Sequence, residues 1–155
     1  MAKILIKGGT LYTMTDDEKN IFQGDILLEN GKIKAVAEQI EDADAEIIDA
    51  AGCYVLPGLI DAHSHIGLFD FNHDKSVDDA NEMTDPVSAA VDARYGMNPK
   101  ARELKVAYEH GITSILFTPG SGDVFCGQPF VGKTYGDNIF EMTVKAPACL
   151  LYTSP

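Results

Sequence analysis

Residues 55–65, with the sequence VLPGLIDAHSH, decide the fold of this chain. The Pro57-Gly58 pair ends a β-rich opening, and the apolar run after it predicts a buried strand that ends in polar residues. Because residues two positions apart in a strand share a face, His63 and His65 are expected to point the same way with Cα atoms ~6.5–7 Å apart. Two imidazoles at that separation can bind one metal ion. Asp61 comes two residues earlier on the same face and is a candidate to orient an imidazole by accepting its second N–H.

The opening of the chain, residues 1–56, consists of short β-favouring runs between polar turns. These runs are residues 4–6, 10–14, 25–29, 32–36, 46–49 and 53–56. The pair Asn30-Gly31 lies between two of them and predicts a tight hairpin, because both residues tolerate the positive φ of a type I′ turn. This part is therefore predicted to be a small antiparallel β module.

The chain after residue 65 predicts a helix followed by a second buried strand. Asn98 and Pro99 are typical of a helix start, and Gly111 stands where a helix end belongs. Residues 112–118 (ITSILFT) are β-branched and apolar. Strand, helix and strand in this order predict a parallel pair joined by a right-handed crossover. The chemistry of such a unit lies at the carboxyl ends of its strands, where the two histidines stand.

Composition excludes several classes of partner and location. Acidic residues number 24 and basic residues 12, which gives a net charge of -12. This balance argues against a nucleic-acid or anionic-membrane surface, because phosphate binding needs a positive patch. No apolar run approaches the ~20 residues that span a bilayer, and the start of the chain is not a secretory signal. Three cysteines without a C-x-x-C pair indicate a reducing compartment, so a cytoplasmic location is expected.

A family resemblance adds to this interpretation. The string PGLID-x-H-x-H at residues 57–65 resembles the first barrel strand of the metal-dependent amidohydrolase superfamily. The start KGGTLYTM, the segment GDILLENGKIKAV and the lead-in IDAAG are similar to that family too. Later stretches, among them GITSILFTPGSGDV, are most similar to its imidazolonepropionase-like and dipeptidase-like branch. The resemblance covers residues 3–148.

The resemblance implies an α/β fold, with the start of a (β/α)8 TIM-like barrel at residues 57–148 and part of a β-sandwich domain at residues 1–56. It implies a divalent metal, typically zinc, with His63 and His65 as ligands. Hydrolysis of a carbon–nitrogen bond in a small amide or cyclic amide by a metal-activated water is the implied reaction. Homo-oligomer formation by a full-length protein stays open.

The length of the chain departs from the family pattern. After the first 56 residues only 99 remain, whereas a barrel takes ~250 residues. The remaining ligands and the general-base Asp are therefore expected outside this chain, which is predicted to be an inactive fragment. His73 and His110 are poor substitutes as ligands, and neither Lys133 nor Lys145 matches the bridging lysine of the family. The segment from Cys149 to Pro155 (CLLYTSP) is interpreted as a translated sequencing adapter.

Two alternative functions stay open at this point. From Gly127 to Thr134 the sequence GQPFVGKT matches the phosphate-binding pattern G-x-x-x-x-G-K-[ST]. That motif needs a strand before it and a helix that opens at Lys133, and the residues after Thr134 predict a turn instead. The other alternative is a non-catalytic β module that binds a partner, which would need neither the two histidines nor the strand–helix–strand unit.

Overall fold

The computed structural model describes residues 3–16, 20–69 and 79–149. The chain divides into two compact units, Met1–Pro57 and Gly58–Pro155, and each contains its own sheet. Strands and helices together confirm the predicted α/β class. His73 and residues 150–155, to which two of the sequence predictions refer, lie outside the described residues.

The first unit is a five-stranded sheet in which β1 is central. Its strands are β1 (Lys3–Tyr12), β2 (Ile21–Glu29), β3 (Lys32–Ala37), β4 (Glu46–Asp49) and β5 (Tyr54–Val55). Strands β1, β2 and β3 pair antiparallel, whereas β4 and β5 run parallel to β1. The prediction of an antiparallel module is therefore wrong for the last two strands. Strand β2 occupies one edge of β1, so β4 and β5 pair with the other edge. There they run in the same direction as β1.

The structure confirms the turn that the sequence predicts in this unit. Asn30 and Gly31 have φ values of 54° and 73°, which confirms the tight hairpin between β2 and β3. Asp25 is buried, and its carboxylate accepts hydrogen bonds of 2.8 Å from the backbone N–H groups of Gly8 and Ile40. This buried charge is thus satisfied by two backbone donors from different parts of the unit.

The second unit is built on a four-stranded sheet. Its elements are β6 (Leu59–Ser64), α1 (Arg102–Glu109), β7 (Ile112–Phe117), β8 (Phe130–Lys133), α2 (Ile139–Met142) and β9 (Thr143–Lys145). Strands β6 and β7 are parallel neighbours with α1 between them in sequence, as predicted, and β8 and β9 continue the sheet antiparallel. The helix begins at Arg102 rather than near Asn98, because the Asn98 side chain instead accepts the Lys100 N–H at 2.9 Å in a turn.

The core of the second unit lies between this sheet and α1. Ile115 and Phe117 of β7 are completely buried, together with Phe130 of β8. Leu104 and Ala107 of α1 belong to the same cluster, so the helix covers one face of the sheet. This packing fixes β7 in place and with it the ends of both parallel strands. Within the described ranges, no helix is long and apolar enough to cross a membrane.

Candidate metal centre

The structure brings together the two histidines at the end of β6. The ring centroids of His63 and His65 are 5.2 Å apart, and their planes meet at 85°. Two imidazoles that bind one tetrahedral zinc through nitrogens at ~2.0–2.1 Å have ring centroids about 5 Å apart. The separation of this pair therefore suits ligands of a single ion. His63 is exposed and His65 half-buried, so the pair is accessible from solvent.

A second strand end holds the His65 ring. Its Nδ1 lies 2.8 Å from the backbone carbonyl oxygen of Thr118 and 3.2 Å from the Thr118 hydroxyl. Thr118 follows β7 directly and is buried. Thr118 was not predicted as a site residue, although parallel strands end at one edge of a sheet and the end of β7 was therefore expected near His65.

Asp61 makes a different contact from the predicted one. Its carboxylate accepts the backbone N–H of His63 at 3.0 Å, whereas an imidazole N–H was expected. Asp61 pairs with Ile115 and Ser64 with Phe117, so three steps along β6 correspond to two along β7. Such a bulge interrupts the two-residue alternation on which the prediction rested. Asp61 therefore holds the backbone of the bulge, through which it can affect the direction of His63.

The other candidate residues lie elsewhere. His110 caps the end of α1, where its Nδ1 lies 2.8 Å from the Val106 carbonyl, at the opposite end of β7 from His65. Lys133 donates to the Ser114 hydroxyl at 2.9 Å, and Lys145 is exposed on β9. Across residues 3–16, 20–69 and 79–149, no three His, Cys, Asp or Glu side chains form a group that could hold a metal.

The phosphate-binding alternative is wrong on geometry. Lys133 ends strand β8, where the motif needs the opening of a helix. Thr134 is buried, and its hydroxyl donates to the Ile112 carbonyl at 2.9 Å, so it is not directed at a magnesium ion. The side chains of Lys133 and Thr134 thus make hydrogen bonds to residues of the neighbouring strand β7.

Two loops pack on each other beyond the end of β7. The Gly120 N–H donates to the Ala80 carbonyl at 2.7 Å, and the Gly122 N–H donates to the Asn81 side chain at 2.9 Å. The Ser88 hydroxyl donates to the Asp123 carboxylate. A cavity of about 230 Å³ lies between these loops. The long connection between β6 and α1 therefore packs against the residues that directly follow Thr118.

A solved structure matches nearly the whole chain. The amidohydrolase from Thermotoga maritima superposes with a TM-score of 0.84 and 43% sequence identity, over 94% of this chain and 37% of that one. The chain belongs to the amidohydrolase superfamily. No family model matches the sequence. The predicted imidazolonepropionase-like and dipeptidase-like branch stays a prediction.

Curated amidohydrolase relatives match the chain over shorter stretches. The D-hydantoinase of Geobacillus stearothermophilus is 45% identical over 64 residues, which are 41% of this chain and 13% of that protein. The 5-methylthioadenosine/S-adenosylhomocysteine deaminase of Caldicellulosiruptor saccharolyticus is 42% identical over 69 residues, 41% of this chain and 16% of the enzyme. These relatives are hydrolases that act on carbon–nitrogen bonds. The chain spans less than a fifth of the length of either.

Proposed function

We propose that this chain forms the metal-binding start of an amidohydrolase in which His63 and His65 bind a divalent cation, with zinc the first candidate. The observation that carries the proposal is the 5.2 Å separation of the two ring centroids at the end of a parallel strand. Residues 57–148 would begin a (β/α)8 barrel, and residues 1–56 would contribute to a β-sandwich domain. Both assignments rest on the likeness to the amidohydrolase of Thermotoga maritima.

The donor set suits zinc. Neutral imidazole is a ligand of Zn²⁺, and ligating histidines usually donate their second ring nitrogen to a carbonyl or carboxylate. His65 has this arrangement through Thr118. The bound ion would supply a water of lowered pKa and polarise the carbonyl of the substrate. The chain's own part would be to hold two imidazoles on one side of the ion.

The proposed substrate class is a small amide or cyclic amide whose carbon–nitrogen bond is hydrolysed. Support comes from relatives that include a hydantoinase and a dihydroorotase. The isolated 155-residue chain is proposed to be inactive, because catalytic zinc sites use three protein ligands and the described residues bring two imidazoles together. A general-base Asp would come from outside these residues. The cytoplasmic location stays part of this proposal.

Zinc titration of the chain tests the proposal. His63→Ala and His65→Ala are each expected to weaken zinc binding, since each removes one ligand of the ion. His110→Ala is the matched control, because it removes an imidazole at the far end of β7 and should leave zinc binding unchanged. Stoichiometric zinc that survives both ligand changes would refute the metal assignment.

A further inference from the structure

The contacts of Thr118 indicate which nitrogen of His65 is available to a metal, an inference that rests on the function proposed above. We propose that Thr118 is a positioning residue that holds His65 as the Nδ1–H tautomer and leaves Nε2 as its metal-binding nitrogen. Nothing in the sequence motif marks position 118, since the motif ends at His65.

The Thr118 carbonyl determines which ring nitrogen of His65 carries the proton. A carbonyl oxygen accepts hydrogen bonds and cannot donate one. Because the Thr118 carbonyl lies 2.8 Å from Nδ1 of His65, the proton of the neutral ring must be on Nδ1 for this contact to be favourable. A neutral imidazole has one N–H and one lone pair, so Nε2 then carries the lone pair that a metal requires.

Thr118 is itself held firmly in place. Thr118 is 4% exposed, and its backbone N–H donates to the Ser64 carbonyl at 2.9 Å. Its hydroxyl lies 3.2 Å from Nδ1 of His65 and 3.4 Å from the same Ser64 carbonyl. One buried residue thus contacts both the backbone before His65 and the ring itself. The ring is therefore oriented before any ion arrives, which lowers the cost of binding.

His63 provides an internal comparison. Its side chain is exposed, and among the described residues no hydrogen bond holds its ring. Only His65 is therefore expected to have its tautomer fixed by the fold. The two imidazoles would therefore behave differently when the metal binds. The fold orients the His65 ring beforehand, whereas the His63 ring would rotate into position on binding.

Nuclear magnetic resonance of the ring nitrogens tests the tautomer directly. The sample is the full chain with His73→Gln and His110→Gln, so that only His63 and His65 contribute ring signals. At about pH 8, where most imidazoles are neutral, we expect His65 to carry its proton on Nδ1 and His63 to show no such restriction. A His65 ring protonated mainly on Nε2 overturns the inference.

Zinc affinity tests the positioning role. Thr118→Val removes the hydroxyl at nearly constant volume and is expected to weaken zinc binding about tenfold, the lower end of the usual effect of residues behind a ligand. Thr118→Ser keeps the hydroxyl and should stay within about twofold. Thr134→Val removes another buried hydroxyl that donates to a strand carbonyl, so it is the control for lost stability alone.

The outcomes separate the two proposals. Unchanged zinc affinity in Thr118→Val overturns the positioning role of the hydroxyl, and a His65 ring protonated on Nε2 overturns that of the carbonyl, while the metal site of His63 and His65 stands in both cases. A wild-type chain that binds no zinc refutes the proposed function, and the ring-nitrogen measurement still reports whether Thr118 fixes the tautomer of His65.

Discussion

His65 and Thr118 are joined across the ends of two parallel strands by a 2.8 Å contact between Nδ1 and a backbone oxygen. His65 follows β6 and Thr118 follows β7, and the Thr118 N–H continues the ladder to Ser64. The geometry of the contact therefore depends on the path of the backbone just after β7. That path is held by the packing of Gly120 and Gly122 on Asn81.

Gly120→Ala is expected to disturb this packing. A Cβ at position 120 would lie 2.7 Å from Cγ of Asn81, so either this side chain must leave its contact with the Gly122 N–H or the loop must shift. Such overpacking should lower the free energy of unfolding by about 1–3 kcal/mol, measured by urea denaturation. Combining it with Asn81→Ala removes the obstacle, so the double variant should lose less than the sum of the single losses. Strict additivity would argue against this clash.

Phe130→Ala is expected to be the more damaging of two phenylalanine truncations. The Phe130 ring is fully buried and stacks on Phe117 with centroids 4.8 Å apart. Its loss should cost about 3–5 kcal/mol through the cavity left behind. Phe140→Ala is the control, because that side chain is 53% exposed. Similar urea midpoints for the two variants would show that this stack is not central to the core.

Gly31→Ala tests the hairpin of the first unit. Gly31 has a φ of 73°, and an added Cβ would meet no atom within 4 Å. The penalty is therefore purely conformational and should be about 1 kcal/mol. Lys32→Ala, an exposed change one residue later, should alter the unfolding free energy much less. Equal effects of the two changes would contradict the positive φ at position 31.

Asp92 gives the second unit a defined response to acid. Its carboxylate caps the short turn Ala93–Tyr95 and lies 2.5 Å from Nη2 of Arg94, whose hydrogen bonds hold the pKa of Asp92 below its usual range. Because the folded pKa is lowered, the stabilisation is complete above the unfolded-state pKa of about 3.9 and is lost as pH falls from there through the folded pKa.

Asp92→Asn should therefore lower the unfolding free energy by about 1 kcal/mol at neutral pH and by less in acid. Urea unfolding of both proteins at about pH 7 and pH 3 measures the difference. A wild-type advantage that is the same at both pH values would show that the carboxylate charge contributes nothing.

The edge of β6 predicts association of the isolated chain. Among the described residues β6 pairs with β7 alone, and its side chains Leu59 and Ile60 are 55% and 73% exposed. Apolar side chains on an unpaired edge favour strand pairing between molecules. Light scattering should show concentration-dependent association that Ile60→Lys reduces. A wild-type chain that stays monomeric and melts cooperatively would contradict this prediction.

Local signals predicted much of the fold. The hairpin at Asn30-Gly31 and the end of α1 at Gly111 depend on backbone conformations that few residues adopt, so the sequence marks them clearly. The direction of β4 was not predictable, since parallel and antiparallel partners of β1 have the same alternation. The start of α1 was placed too early because an Asn-Pro pair also forms a turn.

The proximity of the two histidines was predictable from the sequence, whereas the contacts that hold them in place were not. His63 and His65 were brought together as their spacing implied. The bulge at residues 61–64 escaped prediction because it arises from pairing with β7, which local sequence does not encode. Thr118 escaped because it is 53 positions away from His65 along the chain.

The hydrogen bond that fixes His65 comes chiefly from a peptide oxygen, and every amino acid at position 118 would carry one. A residue without a hydroxyl at this position would therefore keep the carbonyl that selects the tautomer of His65 and would lose the second contact, which comes from the side chain. An alignment of sequences would not reveal such an interaction, whereas a superposition of the backbones of related structures would.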